Sequence, residues 1–77
     1  MEDKEQVKKE MKQELEKVKY RIKILDLIEE KLFEMRELAQ RVIEEELTDE
    51  EIENINQQVK TLEKQVKLLN SESNGIS

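Results

Sequence analysis

Apolar residues in the first half of the chain recur in steps of three and four, at Val7, Met11, Leu15, Val18, Ile22, Leu25, Ile28, Leu32, Met35, Ala39 and Val42. Such spacing lays one apolar stripe along an α-helix. It predicts a helix over about residues 4–46, roughly 60 to 65 Å long at ~1.5 Å per residue. Positions 22, 25, 28 and 32 set two steps of three in succession, a slip in the heptad that should overwind or shift the seam. Tyr20, Ile24, Leu27 and Phe33 flank the stripe and widen it at mid-helix, a breadth that calls for more than one packing neighbour. In the second half Ile52, Ile55, Val59, Leu62, Val66 and Leu69 alternate threes and fours without a break. That is the pattern of a coiled-coil seam, and it predicts a second helix over about residues 49–70. Residues 71–77 (SESNGIS) lack periodicity and are expected to form a flexible tail.

Between the two periodic stretches lies ELTDEEIENI, residues 46–55. Thr48 is placed as an N-cap whose hydroxyl accepts from the Glu51 amide while the Glu51 carboxylate reaches back to the Thr48 amide, the reciprocal capping box. Leu47 and Ile52 occupy the two positions of a hydrophobic staple. Asp49, Glu50 and Glu51 fill the first turn of the new helix, where the macrodipole favours carboxylates. The crowded Glu44, Glu45 and Glu46 carry the opposite preference at the end of the preceding helix. A reversal at residues 47–48 and an antiparallel hairpin are expected, with a continuous helix kinked at Thr48 as the competing arrangement. Length matching then lets the second helix cover the first back to about Asp26. It pairs Ile55 with Val42, Val59 with Ala39, Leu62 with Met35, Val66 with Leu32 and Leu69 with Ile28. If fully buried, Leu62 truncated to Ala should cost roughly 2 to 5 kcal/mol. Residues 4–25 would be left without a partner.

Composition agrees with long helices. Of 77 residues, 44% are charged and 35% hydrophobic, with one Gly, no Pro and two aromatics, Tyr20 and Phe33. Charge is unevenly spread. Residues 1–23 carry eight basic and six acidic groups, residues 24–53 three and twelve, and residues 54–77 three and two. The acidity sits around the turn. No apolar run approaches the ~18 residues that span a bilayer, and MEDKEQVKKE lacks the apolar segment of a secretory signal. A cytoplasmic chain is the default expectation.

With no His and no Cys, the usual general base, nucleophile and transition-metal ligands are missing. No enzyme activity, cofactor or metal is expected, nor a small-molecule substrate. Glu44, Glu45, Glu46, Asp49, Glu50 and Glu53 together form a candidate docking surface for a basic partner, or a carboxylate cation site, although their spacing is not that of an EF-hand. The simpler account is a solvated turn with dipole compensation. Lys4, Lys8, Lys9, Lys12, Lys17, Lys19, Arg21 and Lys23 alternate with Glu5, Glu10, Glu14 and Glu16. Nucleic-acid binding would want a single-sign stripe with stacking aromatics, and membrane binding would want bulky apolar anchors. Neither partner is expected.

Residues 25–66 resemble the N-terminal D1 helical region of bacterial flagellin. The residues that carry the likeness are Met35, Arg36, Glu37, Leu38 and Ala39 at the end of a long helix, Thr48 at the reversal, then Ile55, Asn56, Val59, Leu62 and Val66 in phase on a second helix. The resemblance implies a hairpin that packs against other helices in a bundle, with contact residues rather than catalytic ones, and export or a flagellar association as an alternative to the cytoplasm. The flagellin polymerisation segment and C-terminal helices have no counterpart here. Glu34 stands where flagellins commonly place a basic residue read by innate receptors.

The expected architecture is all-α, a long antiparallel coiled-coil-like hairpin. The stripe of Leu15, Val18, Ile22, Leu25, Ile28, Leu32, Met35, Ala39 and Val42, with Phe33 beside it, is wider and longer than the return helix can cover. A second copy is therefore expected, most simply as a homodimeric bundle, with a heterologous helical protein as the other source of a partner. The expected role is structural or interactive and non-enzymatic. The alternative is a small acidic inhibitor or mimic that docks on a basic groove.

Overall fold

The computed structural model describes residues 3–75. Two helices, α1 (Lys4–Glu44) and α2 (Asp49–Asn74), pack against each other as an all-α hairpin. No strand occurs among the described residues. The molecule is a rod of 70 × 18 × 10 Å with a radius of gyration of 19.7 Å, against about 11.5 Å for a compact chain of this length.

Local chemistry sets each helix boundary. Asp3 caps α1, its carboxylate accepting from the Glu5 amide at 3.2 Å. The helix ends at Glu44, two residues sooner than the spacing implies, and Glu45 turns extended (φ −106°, ψ 147°) while its amide still donates to the Arg41 carbonyl at 3.0 Å. Carboxylates gather there against the unfavourable end of the macrodipole. Arg41 is the basic residue of that last turn and lies 3.6 Å from the Glu45 carboxylate.

The link is residues 45–48, and the chain reverses rather than kinks. Thr48 is extended (φ −72°, ψ 161°), and no described residue has positive φ. Extended torsions at both ends of the link are open to any residue, so the reversal needs neither Gly nor Pro. Both arms of the capping box are present. Thr48 Oγ1 accepts from the Glu51 amide at 3.1 Å and donates to Glu51 Oε1 at 3.0 Å, and the Thr48 amide donates to the same oxygen at 3.4 Å. Leu47 is half-buried, and Ile52 remains 39% exposed.

The return helix is longer than its periodicity suggests. Ser71 to Asn74 continue α2 instead of fraying, and the Gly75 amide closes the end by donating to the carbonyls of Ser71 (3.0 Å) and Glu72 (3.2 Å). Residues 76 and 77 of the expected tail lie outside the described residues. Two features hold this last turn on α1. Ser73 is buried, and the Tyr20 hydroxyl donates to Glu72 Oε1 at 3.0 Å. The hairpin thus closes back to Tyr20 rather than to Asp26, leaving Lys4–Lys19 as the uncovered end of α1.

The core is thin. Among the described residues, Ile24 and Ile55 are the buried hydrophobic ones. Around them Arg21, Ile28, Lys31, Met35 and Leu38 on α1, and Val59, Leu62, Gln65, Val66 and Leu69 on α2, are half-buried. Lys31 lies in this seam through its aliphatic stem.

Urea titrations followed by helicity test the cap and the core. Thr48→Ala should lower stability by about 1 kcal/mol, and Thr48→Asp, another good N-cap, should not. Ile55→Ala should cost about 2 to 5 kcal/mol. Leu62→Ala, at a half-buried position, should cost less than Ile55→Ala, and the reverse order would contradict the burial described here.

Candidate protein-interaction surface

α1 carries two apolar seams. The first is covered by α2 and runs through Arg21, Ile24, Ile28, Lys31, Met35, Leu38 and Val42, in alternating steps of three and four. The second follows the same rhythm one residue later, at Ile22, Leu25, Glu29, Leu32, Arg36, Ala39 and Ile43, and extends back through Val18, Leu15 and Met11. One residue is about 100° around a helix, so the seams are neighbouring faces of one cylinder.

The second seam is open along its length. Met11 is 67% exposed, Ile22 53%, Leu32 50% and Ile43 82%. Leu15, Val18, Leu25 and Ala39 are exposed as well, and Phe33 borders the same face, whereas Leu27 and Tyr20 lie on the other flank of the covered seam, beside Leu68 and Glu72 of α2.

This arrangement corrects the register read from spacing alone. Spacing pairs Leu32 and Ala39 with Val66 and Val59, yet both are exposed, whereas Val42, paired with Ile55, does lie at the end of the covered seam, 37% exposed. The α1 side of the hairpin contact is built instead on Ile24, Ile28, Met35 and Leu38. The apparent heptad slip has the same origin. A single stripe drawn through 22, 25, 28, 32, 35 and 39 steps back and forth between two regular seams, and α1 runs as one uninterrupted helix. Of the candidate contact residues, Ile55 is buried, and Ile28, Met35, Val59, Leu62, Val66 and Leu69 are half-buried. Leu15, Val18, Ile22, Leu25, Leu32, Phe33, Ala39 and Val42 are exposed in the single chain. Ile24 and Leu38 are the seam residues that spacing missed. Lys31 and Arg21, polar members of the covered seam, hid its continuity.

Exposure of this kind leaves a large surface in water. A compact monomer of 9.3 kDa would expose about 5,000 Å². This chain exposes 6827 Å², an excess of about 1,800 Å². A standard interface buries about 800 Å² on each partner.

The acidic turn presents Glu44, Glu45, Glu46, Asp49, Glu50 and Glu53 to solvent. Among the described residues no three acidic side chains converge where a metal ion could sit. An open groove of mixed polar and apolar surface lies between the helices, lined by Glu34, Leu38, Arg41, Asn54, Gln57 and Leu62 among others. No helix among the described residues is long and apolar enough to cross a membrane. Compared with protein-family models, curated proteins and solved structures, the chain finds no match.

Tyr20 is where the two helices are tied by a polar contact. Its hydrogen bond to Glu72, and then the negative charge of that carboxylate, raise the phenol above the usual value of about 10. A pKa raised by folding favours the neutral phenol in the native state. Its contribution to stability is therefore complete below about pH 10 and is lost as pH rises through the higher folded value. Tyr20 is the sole tyrosine and there is no Trp, so an ultraviolet absorbance titration reports it alone. We expect a midpoint above 10 that moves back toward the free value in Glu72→Gln; an identical midpoint in both proteins would show that the tie is not formed in solution.

Proposed function

We propose that the chain is a non-enzymatic protein-interaction module that works through the open seam of α1 and associates with a second copy of itself. The observation that carries this reading is the second seam, running at coiled-coil spacing from Met11 to Ile43 and left in water by α2. A hairpin that needed only to fold would gain nothing from a second regular apolar face one residue out of step with the first. Apolar patches of this extent on soluble proteins mark interaction surfaces. A second copy is the simplest partner, because one self-complementary face then serves both sides. The absence of His and Cys from the sequence fits a role in contact rather than in catalysis. The likeness of residues 25–66 to the flagellin D1 region points the same way, toward a hairpin made to lie among other helices.

Sedimentation of the pure chain over a wide concentration range tests this directly. The expected result is a monomer–dimer equilibrium with a melting temperature that rises with concentration. Leu32→Lys, at an exposed position of the hairpin, should shift the equilibrium to monomer. A wild-type chain that stays monomeric and fully helical at high concentration would remove the proposal.

A further inference from the structure

Resting on that self-association, we propose that the two copies meet antiparallel, α1 along α1, with the dyad at the level of residue 27, between Leu25 and Glu29 on the open seam. Length selects the helix. The open seam from Met11 to Ile43 runs about 48 Å at ~1.5 Å per residue. α2, with 26 residues, reaches only about 39 Å, whereas α1, with 41 residues, reaches about 61 Å. Within a second copy, α1 is the helix long enough to cover the whole seam.

Charge selects the direction. The seam is apolar except at Glu29 and Arg36. In a parallel, in-register pair Glu29 would face its own copy and so would Arg36, setting like charges directly together. An antiparallel pair centred between Leu25 and Glu29 avoids this. Met11 then lies opposite the partner's Ile43, Leu15 opposite the partner's Ala39, and Ile22 opposite the partner's Leu32. Glu29 meets the partner's Leu25, and Arg36 meets the partner's Val18. Every layer keeps at least one apolar member.

The long-range field agrees. Residues 1–23 carry a net charge of +2 and residues 24–53 a net charge of −9. A parallel pair would stack the acidic stretch on itself, while the antiparallel pair lays the basic end of each chain along the acidic stretch of the other. At this register Lys8 and Lys9 come level with the partner's Glu46 and Glu45, so the acidic turn gains a counter-charge. The exposed Asp26 side chains near the dyad form a like-charge contact set against these gains. α2 does not obstruct the approach, because it occupies the neighbouring face about 100° away. The uncovered Lys4–Lys19 end of α1 is then the part that lies along the partner.

Disulfide trapping decides the orientation. The chain has no Cys, and Met11 and Ile43 are both well exposed in the hairpin, so Met11→Cys and Ile43→Cys leave its core intact, which circular dichroism checks. The two variants are mixed in equal amounts in a glutathione redox buffer. The antiparallel pair should yield mainly the mixed disulfide between the Met11→Cys and Ile43→Cys chains. Each variant joined to itself, a random distribution, or no disulfide at all overturns the antiparallel arrangement. Sedimentation of the wild-type chain separates the two levels. A monomer removes the self-association reading itself, whereas a dimer that gives self-joined disulfides removes only the orientation.

Discussion

Two helices laid side by side share one line of contact, and a line encloses almost no volume. That constraint governs the molecule. Among the described residues Ile24 and Ile55 are the buried hydrophobic ones, and no side chain is fully sealed from water. The chain leaves exposed about half of the surface its unfolded form would expose, where a typical domain of similar size leaves nearer 40%. Burial at about 25 cal/mol per Å² is the main favourable term in folding, and the ordering of a 41-residue helix opposes it. The single hairpin therefore draws on few sources of stability beyond helix propensity, the caps and one short seam. Its second apolar face is the largest reserve still unused.

The caps carry unusual weight as a result. In a protein with a deep core, a boundary such as the Thr48–Glu51 box adjusts a fold that packing has already chosen. Here it chooses. A strongly helical sequence with no Pro and a single Gly near its end could continue straight through residues 45–48, and what stops it is local. Carboxylates gather at the end of α1 where the dipole disfavours them, and Thr48 with Glu51 satisfies the free amides of a new helix three residues later. Tyr20 and Glu72 fasten the other end, 52 residues apart in sequence. Without that tie and the small buried Ser73, the last turn of α2 would have only weakly helical Ser and Asn residues to hold it.

Much of this was legible in the residue pattern, and the misreadings share one cause. The hairpin, the N-cap at Thr48 and the seam of α2 follow from rules local to a few residues, which spacing displays directly. The register of α1 does not. When one helix carries two seams a single residue apart, every third or fourth residue has an apolar neighbour on the adjacent face. Ile28 and Leu32 then look like consecutive members of one stripe although they belong to different ones. Lys31 in the covered seam and Glu29 in the open one deepen the ambiguity, because each interrupts the heptad that would have identified its face. The far end of α2 escaped for a different reason. Glu72 is tied to Tyr20 and Ser73 is buried, and periodicity carries no information about a partner 52 residues away.

The same ambiguity clarifies why the charges lie where they do. A long helix with two apolar faces has little circumference left for solubility, and 44% charged residues crowd into the remaining arc. Spread evenly, those charges would keep the chain soluble but give an open seam no preference between parallel and antiparallel company. Gathered instead into a basic-leaning start and an acidic middle, they make one orientation of a second copy repulsive and the other attractive at distances within a Debye length, about 8 Å at physiological salt. In the proposed antiparallel pair the acidic turn has a counterpart. It is the negative pole of a rod whose positive pole is the end of α1 that its own return helix fails to reach.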